Sequence, residues 1–87
     1  MNVSSIVIKT SPEHLKNVLE SLNSSDFCET HFHDELGRII VTIEGVNVSE
    51  EMKKLKLLQK TDRVLSAEMV YSYSEGELEK ARENFAQ

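Results

Sequence analysis

Cysteine and long apolar runs are scarce in this sequence, and each scarcity excludes a class of structure. Cys28 is the single cysteine, so the chain can form neither an intramolecular disulfide nor a CxxC metal or redox motif. No apolar run approaches the roughly 18 residues of a membrane-spanning helix, and the N-terminus lacks the basic start and apolar core of a secretory signal. We therefore expect a cytoplasmic protein without membrane insertion.

Basic residues are also in the minority. The chain has 15 acidic and 10 basic residues, which gives a formal net charge of -5. A general nucleic-acid-binding protein needs a basic surface to displace counterions from phosphates, so this charge disfavours nucleic acid as a partner and favours a cationic one. With 87 residues the chain is long enough for one domain with a single modest core.

Residues 38–44 have the composition of a buried strand, because four of the seven are Ile or Val and Thr42 is also β-branched. Successive strand side chains point to opposite faces, so one face is wholly apolar and the other is mixed. We expect helices to cover the first face and leave the second accessible. The apolar face carries Ile39, Val41 and Ile43, and the mixed face carries Arg38, Ile40, Thr42 and Glu44.

Three further segments, residues 3–9, 27–33 and 64–73, show strand-like alternation. Between the second of these and the central strand, residues 34–37 form a short connection in which Gly37 can adopt a positive φ, so an antiparallel hairpin is predicted. The expected core-facing residues of the three segments are Ile6, Ile8, Cys28, Thr30, Phe32, Leu65, Ala67, Met69 and Tyr71.

Two helices are predicted between the strands. Ser11 as N-cap and Pro12 at the first helical position begin one, which ends near Asn23. The other begins at an N-cap within residues 47–51. Apolar residues at helical spacing mark the inner faces, with Leu15, Val18, Leu19 and Leu22 in the first helix and Met52, Leu55 and Leu58 in the second.

The predicted order is strand, helix, strand, strand, helix, strand, which is the α+β ferredoxin-like arrangement. Right-handed crossovers then give a four-stranded antiparallel sheet with the first and third strands central and both helices on one face. We assign residues 1–73 to this domain. Residues 74–87 depart from the β pattern and are expected to form a tail or a short C-terminal helix.

One set of segments, taken in order along the chain, resembles a known family: Ser5-Ile6-Val7-Ile8, Cys28-Glu29, residues 37–44 and residues 64–71. By these residues the chain resembles the NapD family, the small cytoplasmic chaperones of periplasmic nitrate reductase. The resemblance implies a ferredoxin-like protein that binds the twin-arginine signal peptide of the catalytic subunit and delays its export until cofactor insertion is complete. It further suggests that the peptide binds as a helix on the sheet face, whereas an extended peptide added to an edge strand is the other physically sensible mode.

The uncovered sheet face has the chemistry that such a peptide requires. Its carboxylates can accept bidentate hydrogen bonds from arginine, and its apolar residues can contact an apolar stretch. Glu44 and Glu68 are our best candidates for arginine partners, although any one outward glutamate is more often a solvating residue. The predicted peptide-binding residues are Ser5, Val7, Glu29, His31, Ile40, Thr42, Glu44, Ser66, Glu68 and Val70.

Other site chemistries have little support. Glu29, His31 and His33 share one predicted face but lack a fourth metal ligand, so we expect no metal and no cofactor. Cys28 and Tyr71 are assigned to packing rather than to reactivity or recognition.

An enzyme is also disfavoured. Acylphosphatases share this architecture, but residues 9–12 offer neither an arginine nor a glycine-rich anion loop. RNA-recognition modules need aromatic residues on the central strands, where Val7 and Ile40 stand instead. The alternative is a small-molecule-sensing (ACT-like) or protein-interaction domain of the same fold, and in either case we favour a monomer over a dimer.

Overall fold

The computed structural model describes residues 2–74, with side chains up to Val70. It contains a four-stranded antiparallel sheet of order β2-β3-β1-β4 with two helices, which confirms the ferredoxin-like α+β prediction. The predicted C-terminal tail or helix lies outside the described residues, apart from Ser74 at the end of β4. The elements are β1 (Asn2–Thr10), a 3₁₀ turn (Pro12–His14), α1 (Leu15–Asn23), β2 (Glu29–His33), β3 (Arg38–Gly45), α2 (Val48–Gln59) and β4 (Val64–Ser74).

The core lies between one face of the sheet and the two helices. The predicted apolar face of β3 is buried: Ile39, Val41 and Ile43 are at most 1% exposed. Each large aliphatic side chain that is fully buried contributes about 1.5–3 kcal/mol relative to exposure, so this cluster is the main source of stability. The other buried apolar residues are Ile6, Ile8, Val18, Leu22, Leu55, Leu58 and Ala67.

The connection between β2 and β3 depends on a glycine. Gly37 has φ +92°, as the sequence predicted, and a Cβ at this position would lie 2.0 Å from the carbonyl oxygen of Thr10. The Thr10 N–H donates to the Gly37 carbonyl at 2.8 Å, so the turn is held against the end of β1. Any side chain at position 37 would therefore separate the hairpin from β1.

The two helices begin in different ways. Ser11 stands at the predicted N-cap, but its side chain makes no cap hydrogen bond; its carbonyl accepts from His14 N–H at 2.9 Å instead. Pro12 therefore opens a 3₁₀ turn and not the first turn of α1, which corrects the predicted start. At α2 the Asn47 Oδ1 accepts from Glu50 N–H at 2.9 Å, which confirms an N-cap in the predicted segment.

The inner face of α2 is rotated from the predicted one. Leu55 and Leu58 are buried as expected, but Met52 is 40% exposed and the neighbouring Glu51 is only 2% exposed. A Cβ on Gly45 would lie 2.8 Å from Glu51 Cγ, so the missing side chain at position 45 makes room for Glu51 under the sheet end. The assignment of Met52 to the inner face was therefore wrong.

Two β-bulges interrupt β4. Thr10 pairs with Val64 while Lys9 pairs with Ser66, so Leu65 is an extra residue between them, and it is 71% exposed. A second shift pairs the backbone of Tyr71 with that of Ser5. A bulge inserts one residue and resets the alternation, which is why the prediction that Leu65 faces the core was wrong.

Candidate functional site

The sheet face opposite the helices, which we call the open face, brings together most of the predicted site residues. In the strand register, Ser5 pairs with Thr42 and Thr42 with Glu29, while Val7 pairs with both Ile40 and Glu68. Alternation from these pairs also places Glu44 and Ser66 on the open face, because each is two residues from one of them. Eight of the ten predicted residues therefore share this face through the register: Ser5, Val7, Glu29, Ile40, Thr42, Glu44, Ser66 and Glu68.

The other two predicted residues lie at bulges. His31 has no register partner, but its Nε2 is 2.7 Å from Thr42 Oγ1, which holds the imidazole against the open face. Val70 also lacks a partner in the register and is 57% exposed. Both residues are accessible beside the paired residues of the open face.

The bulge at His31 changes the face on which Phe32 lies. Thr30 pairs with Val41, and the next pair is Phe32 with Ile40, so Phe32 is on the open face and is 55% exposed. The prediction that Phe32 shares a core face with Cys28 and Thr30 was therefore wrong. Sequence alternation cannot show a one-residue bulge, so no signal in the pattern of β2 identified this aromatic residue.

Phe32 forms an apolar cleft with the two central strands. The cleft has a volume of about 340 Å³ and is lined by Val7, Phe32 and Ile40, with Asp34 and Arg38 at one end. Three apolar side chains that are accessible and adjacent lose contact with water when a partner covers them, which favours binding. This apolar cleft is the centre of the open face.

The same bulge separates the histidines. His33 pairs with Ile39, a core-facing residue, whereas Glu29 and His31 lie at the open face. No group of three His, Cys, Asp or Glu side chains within residues 2–70 is arranged to hold a metal ion. Glu29, His31 and His33 are therefore not brought together.

Basic residues lie at one end of the open face. Lys9 and Arg38 pair across β1 and β3, and Arg38 Nε donates to Asp34 Oδ2 at 2.6 Å. Desolvation acts to raise the pKa of Asp34. Hydrogen bonds from the backbone N–H groups of Arg38 and Leu36 and from the Arg38 guanidinium act to lower this pKa, as does the positive charge of that guanidinium. The net result is a pKa below the ordinary value for Asp. Asp34 thereby stays ionised and fixes Arg38 at the hairpin end.

Acidic residues lie at the other end. Asp26, Glu29 and Glu44 line a cleft of about 200 Å³, together with Lys54. Lys54 Nζ donates to the backbone carbonyl of Glu44 and lies 3.7 Å from Glu50. Among the described side chains none forms an ion pair with Glu29, Glu44 or Glu68, so these carboxylates are available to a cationic ligand.

The structure groups the candidate arginine partners differently from the prediction. Glu44 is two residues from Thr42, the partner of Glu29, so Glu29 and Glu44 are diagonal neighbours about 7–8 Å apart. Glu68 lies on β4, two strands away from Glu44 on β3. Glu68 pairs with Val7 and Glu44 pairs with Val3, so the two glutamates are also four residues apart along the strands. The distance between them is therefore about 16 Å. A pair of adjacent arginines would meet Glu29 and Glu44 more readily than Glu44 and Glu68.

Cys28 lies beside the acidic cleft but is suited to packing. It is half-buried against the core, and its Sγ lies 3.8 Å from the Leu22 carbonyl, to which it donates. Burial raises the pKa of the Cys28 thiol, which lowers the fraction of reactive thiolate. The assignment of Cys28 to the fold rather than to chemistry fits this environment.

A larger cleft, of about 410 Å³, lies between α1 and the turn before β4. Its one cationic group is engaged within the protein, because Arg63 Nη1 lies 2.6 Å from His14 Nδ1 and Arg63 Nε lies 3.5 Å from Asp62. None of the described residues that line this cleft is apolar. We therefore place the candidate site on the open face and not in this cleft.

Neither helix within residues 2–74 has the length and apolar character needed to cross a membrane.

Comparisons with known proteins give a family match and a structural match. The family model described as NapD protein matches residues 1–76 of the chain. A solved structure, the solution structure of the E. coli Tat proofreading chaperone protein NapD, superposes with a TM-score of 0.73 at 24% sequence identity. The match covers 84% of this chain and 78% of that one, and at this identity it shows a shared fold. No curated protein sequence matches the chain.

Proposed function

Since this chain belongs to the NapD family, we propose that it is a non-enzymatic chaperone that binds a twin-arginine signal peptide. The E. coli protein of the same fold is described as a Tat proofreading chaperone, which supports this role. The proposed ligand is the signal peptide of the periplasmic nitrate reductase catalytic subunit. By binding it in the cytoplasm as a monomer, without a cofactor of its own, the protein delays export until the enzyme has matured.

The observation that carries the proposal is the composition of the open face. An accessible apolar cleft formed by Val7, Phe32 and Ile40 lies beside carboxylates that have no ion pair among the described side chains. A twin-arginine signal peptide has the complementary parts, because it combines guanidinium groups with an apolar stretch. Its apolar side chains would be removed from water on the cleft while its arginines meet glutamates.

The strand edges are less suited to the peptide than the face. An extended peptide needs an uninterrupted row of backbone donors and acceptors, and bulges disrupt such a row. The outer strand β2 has five residues and a bulge at His31, and β4, at the opposite edge, has bulges at Leu65 and Val70. These interruptions support a peptide that lies as a helix on the open face.

Calorimetric titration tests the proposal. The purified protein is titrated with a synthetic signal peptide and with the same peptide in which both arginines are glutamine. We expect tight one-to-one binding that becomes much weaker with the glutamine peptide. If a demonstrably folded protein binds neither peptide, the chaperone proposal is wrong, and the sensing-domain alternative would be tested by a screen of small ligands.

Variants of the open face extend this test. Glu44→Gln and Glu68→Gln should weaken binding and flatten its dependence on salt, because each removes a carboxylate that attracts the cationic peptide. Glu20→Gln is the matched control, since Glu20 is an exposed carboxylate on α1, behind the sheet. An affinity that is unchanged in the Glu44 and Glu68 variants would remove those residues from the site.

A further inference from the structure

The charged side chains of the open face are separated along the strands. Lys9 and Arg38 lie at the hairpin end, and Glu29 and Glu44 lie towards the other end, with the apolar cleft between them. The intervening β3 residues between positions 38 and 44 span about 20 Å at 3.3 Å per residue. The two ends of the open face therefore differ in charge. A ligand whose own two ends differ in charge would bind in one orientation.

Neighbouring opposite charges do not remove this separation. At the hairpin end Asp34 is bonded to Arg38, but Lys9 is exposed and forms no ion pair with any described side chain. At the other end Lys54 lines the same cleft as the three carboxylates of Asp26, Glu29 and Glu44, and its Nζ lies 3.7 Å from the carboxylate of Glu50. The open face thus carries, at one end, a lysine with no ion pair among the described side chains and, at the other end, more carboxylates than ammonium groups.

A helical signal peptide has the complementary difference in charge between its ends, for two independent reasons. Its arginines precede its apolar stretch, so positive side chains lie at its amino-terminal end. The helix dipole also places partial positive charge at the amino terminus and partial negative charge at the carboxyl terminus. Both effects draw the amino-terminal end to the glutamates and the carboxyl-terminal end to Lys9 and Arg38.

We propose that the signal peptide lies along the open face with its twin arginines at Glu29 and Glu44 and its carboxyl-terminal end at Lys9 and Arg38. This orientation rests on the proposed function and adds to it a direction and a specific pair of arginine contacts. A helix of about 13 residues spans about 20 Å at 1.5 Å per residue, so one apolar stretch covers the cleft between the two charged ends. Glu68, at the side of the cleft, contributes general attraction for the cationic peptide rather than the arginine contact.

A double-mutant cycle tests the arginine contacts. We expect Glu44→Gln to weaken binding of the native peptide by about tenfold or more, as for loss of a charge-assisted hydrogen bond, and to change affinity for the arginine-to-glutamine peptide by less than about twofold. Glu68→Gln should weaken binding of both peptides and show a smaller coupling to the arginines than Glu44→Gln does. If Glu68 and not Glu44 is coupled to the arginines, the assigned contact is wrong.

Spin labels on the peptide test the direction. A nitroxide at the amino-terminal end should broaden the amide resonances of Thr42 and Glu44 in the bound protein, and one at the carboxyl-terminal end should broaden those of Lys9 and Arg38. The reverse pattern, or equal broadening at both ends with each label, would overturn the orientation while leaving the proposed function intact. Absence of any binding would instead contradict both.

Discussion

Phe32 offers a sharp test because it is a large aromatic residue that contributes little to the core. It is 55% exposed on an edge strand, so Phe32→Ala removes about 90 Å² of buried side chain and should lower the free energy of unfolding by about 1–2 kcal/mol, which leaves the protein folded. A peptide on the open face would also cover the exposed part of the ring. Truncation should therefore weaken binding in a protein that is still folded.

The size of the binding effect follows from the exposed area. A phenylalanine side chain presents about 200 Å², of which 55% is about 110 Å², and at about 25 cal/mol per Å² this corresponds to about 2.7 kcal/mol. Alanine retains the Cβ and a peptide covers only part of the ring, so we expect the dissociation constant to rise by about tenfold to hundredfold.

Calorimetric titration of the variant with the signal peptide measures this effect, and urea unfolding checks that the variant is folded. Leu57→Ala is the matched control, because Leu57 is 51% exposed but lies on α2, behind the sheet. We expect wild-type affinity for this control. Unchanged affinity in Phe32→Ala, or an equal loss in Leu57→Ala, would refute a peptide site on the open face.

Three further predictions concern the fold that supports the site. Gly37→Ala should lower the free energy of unfolding by about 2 kcal/mol or more, since φ is +92° and the new Cβ would meet the Thr10 carbonyl; a loss below about 1 kcal/mol in urea unfolding would contradict this. The lowered pKa of Asp34 gives stability that is present above the unfolded-state pKa of about 3.9 and is lost as pH falls through the folded-state pKa. Asp34→Asn should thus be less stable than wild type at pH 7, and this gap should narrow in melts at pH 2 to 3; a gap independent of pH would count against it. Glu51 is buried and its Oε1 has no hydrogen-bond partner among the described residues, so Glu51→Met should leave the melting temperature unchanged or raised, and a clear decrease would indicate that the carboxylate stabilises the fold.

The fold was predictable because its main signals are local and repeated. The apolar face of β3 at Ile39, Val41 and Ile43 and the helical spacing at Val18 and Leu22 all specify one core, and burial confirms each of them. The positive φ of Gly37 was predictable for the same reason, since a short hairpin turn favours glycine. These patterns act over a few residues and need no knowledge of the rest of the chain.

Bulges account for most of what the sequence did not reveal. One extra residue at His31 moves Phe32 from the expected core face to the open face, and one at Leu65 exposes a leucine expected to be buried. Their positions depend on how β2 and β4 fit against central strands that are distant in sequence. The alternation of residues within one strand does not show how that strand pairs with its neighbours.

The candidate site was predicted in its composition and less well in its arrangement. The alternation of side chains along the strands correctly placed Val7, Ile40 and Glu44 on the accessible face. It did not show that Glu29 lies diagonally beside Glu44 while Glu68 is two strands away, because such distances follow from register. Phe32 was missed for the reason given above.

Contacts between the bound peptide and protein methyl groups test the central claim most directly. Intermolecular nuclear Overhauser effects should be measured on a complex of methyl-labelled protein and unlabelled signal peptide. We expect effects from the apolar peptide side chains to the methyl groups of Val7 and Ile40, which line the open face. Effects confined to exposed methyl groups behind the sheet, such as those of Val48 and Leu57 on α2, would contradict a signal-peptide site on the open face.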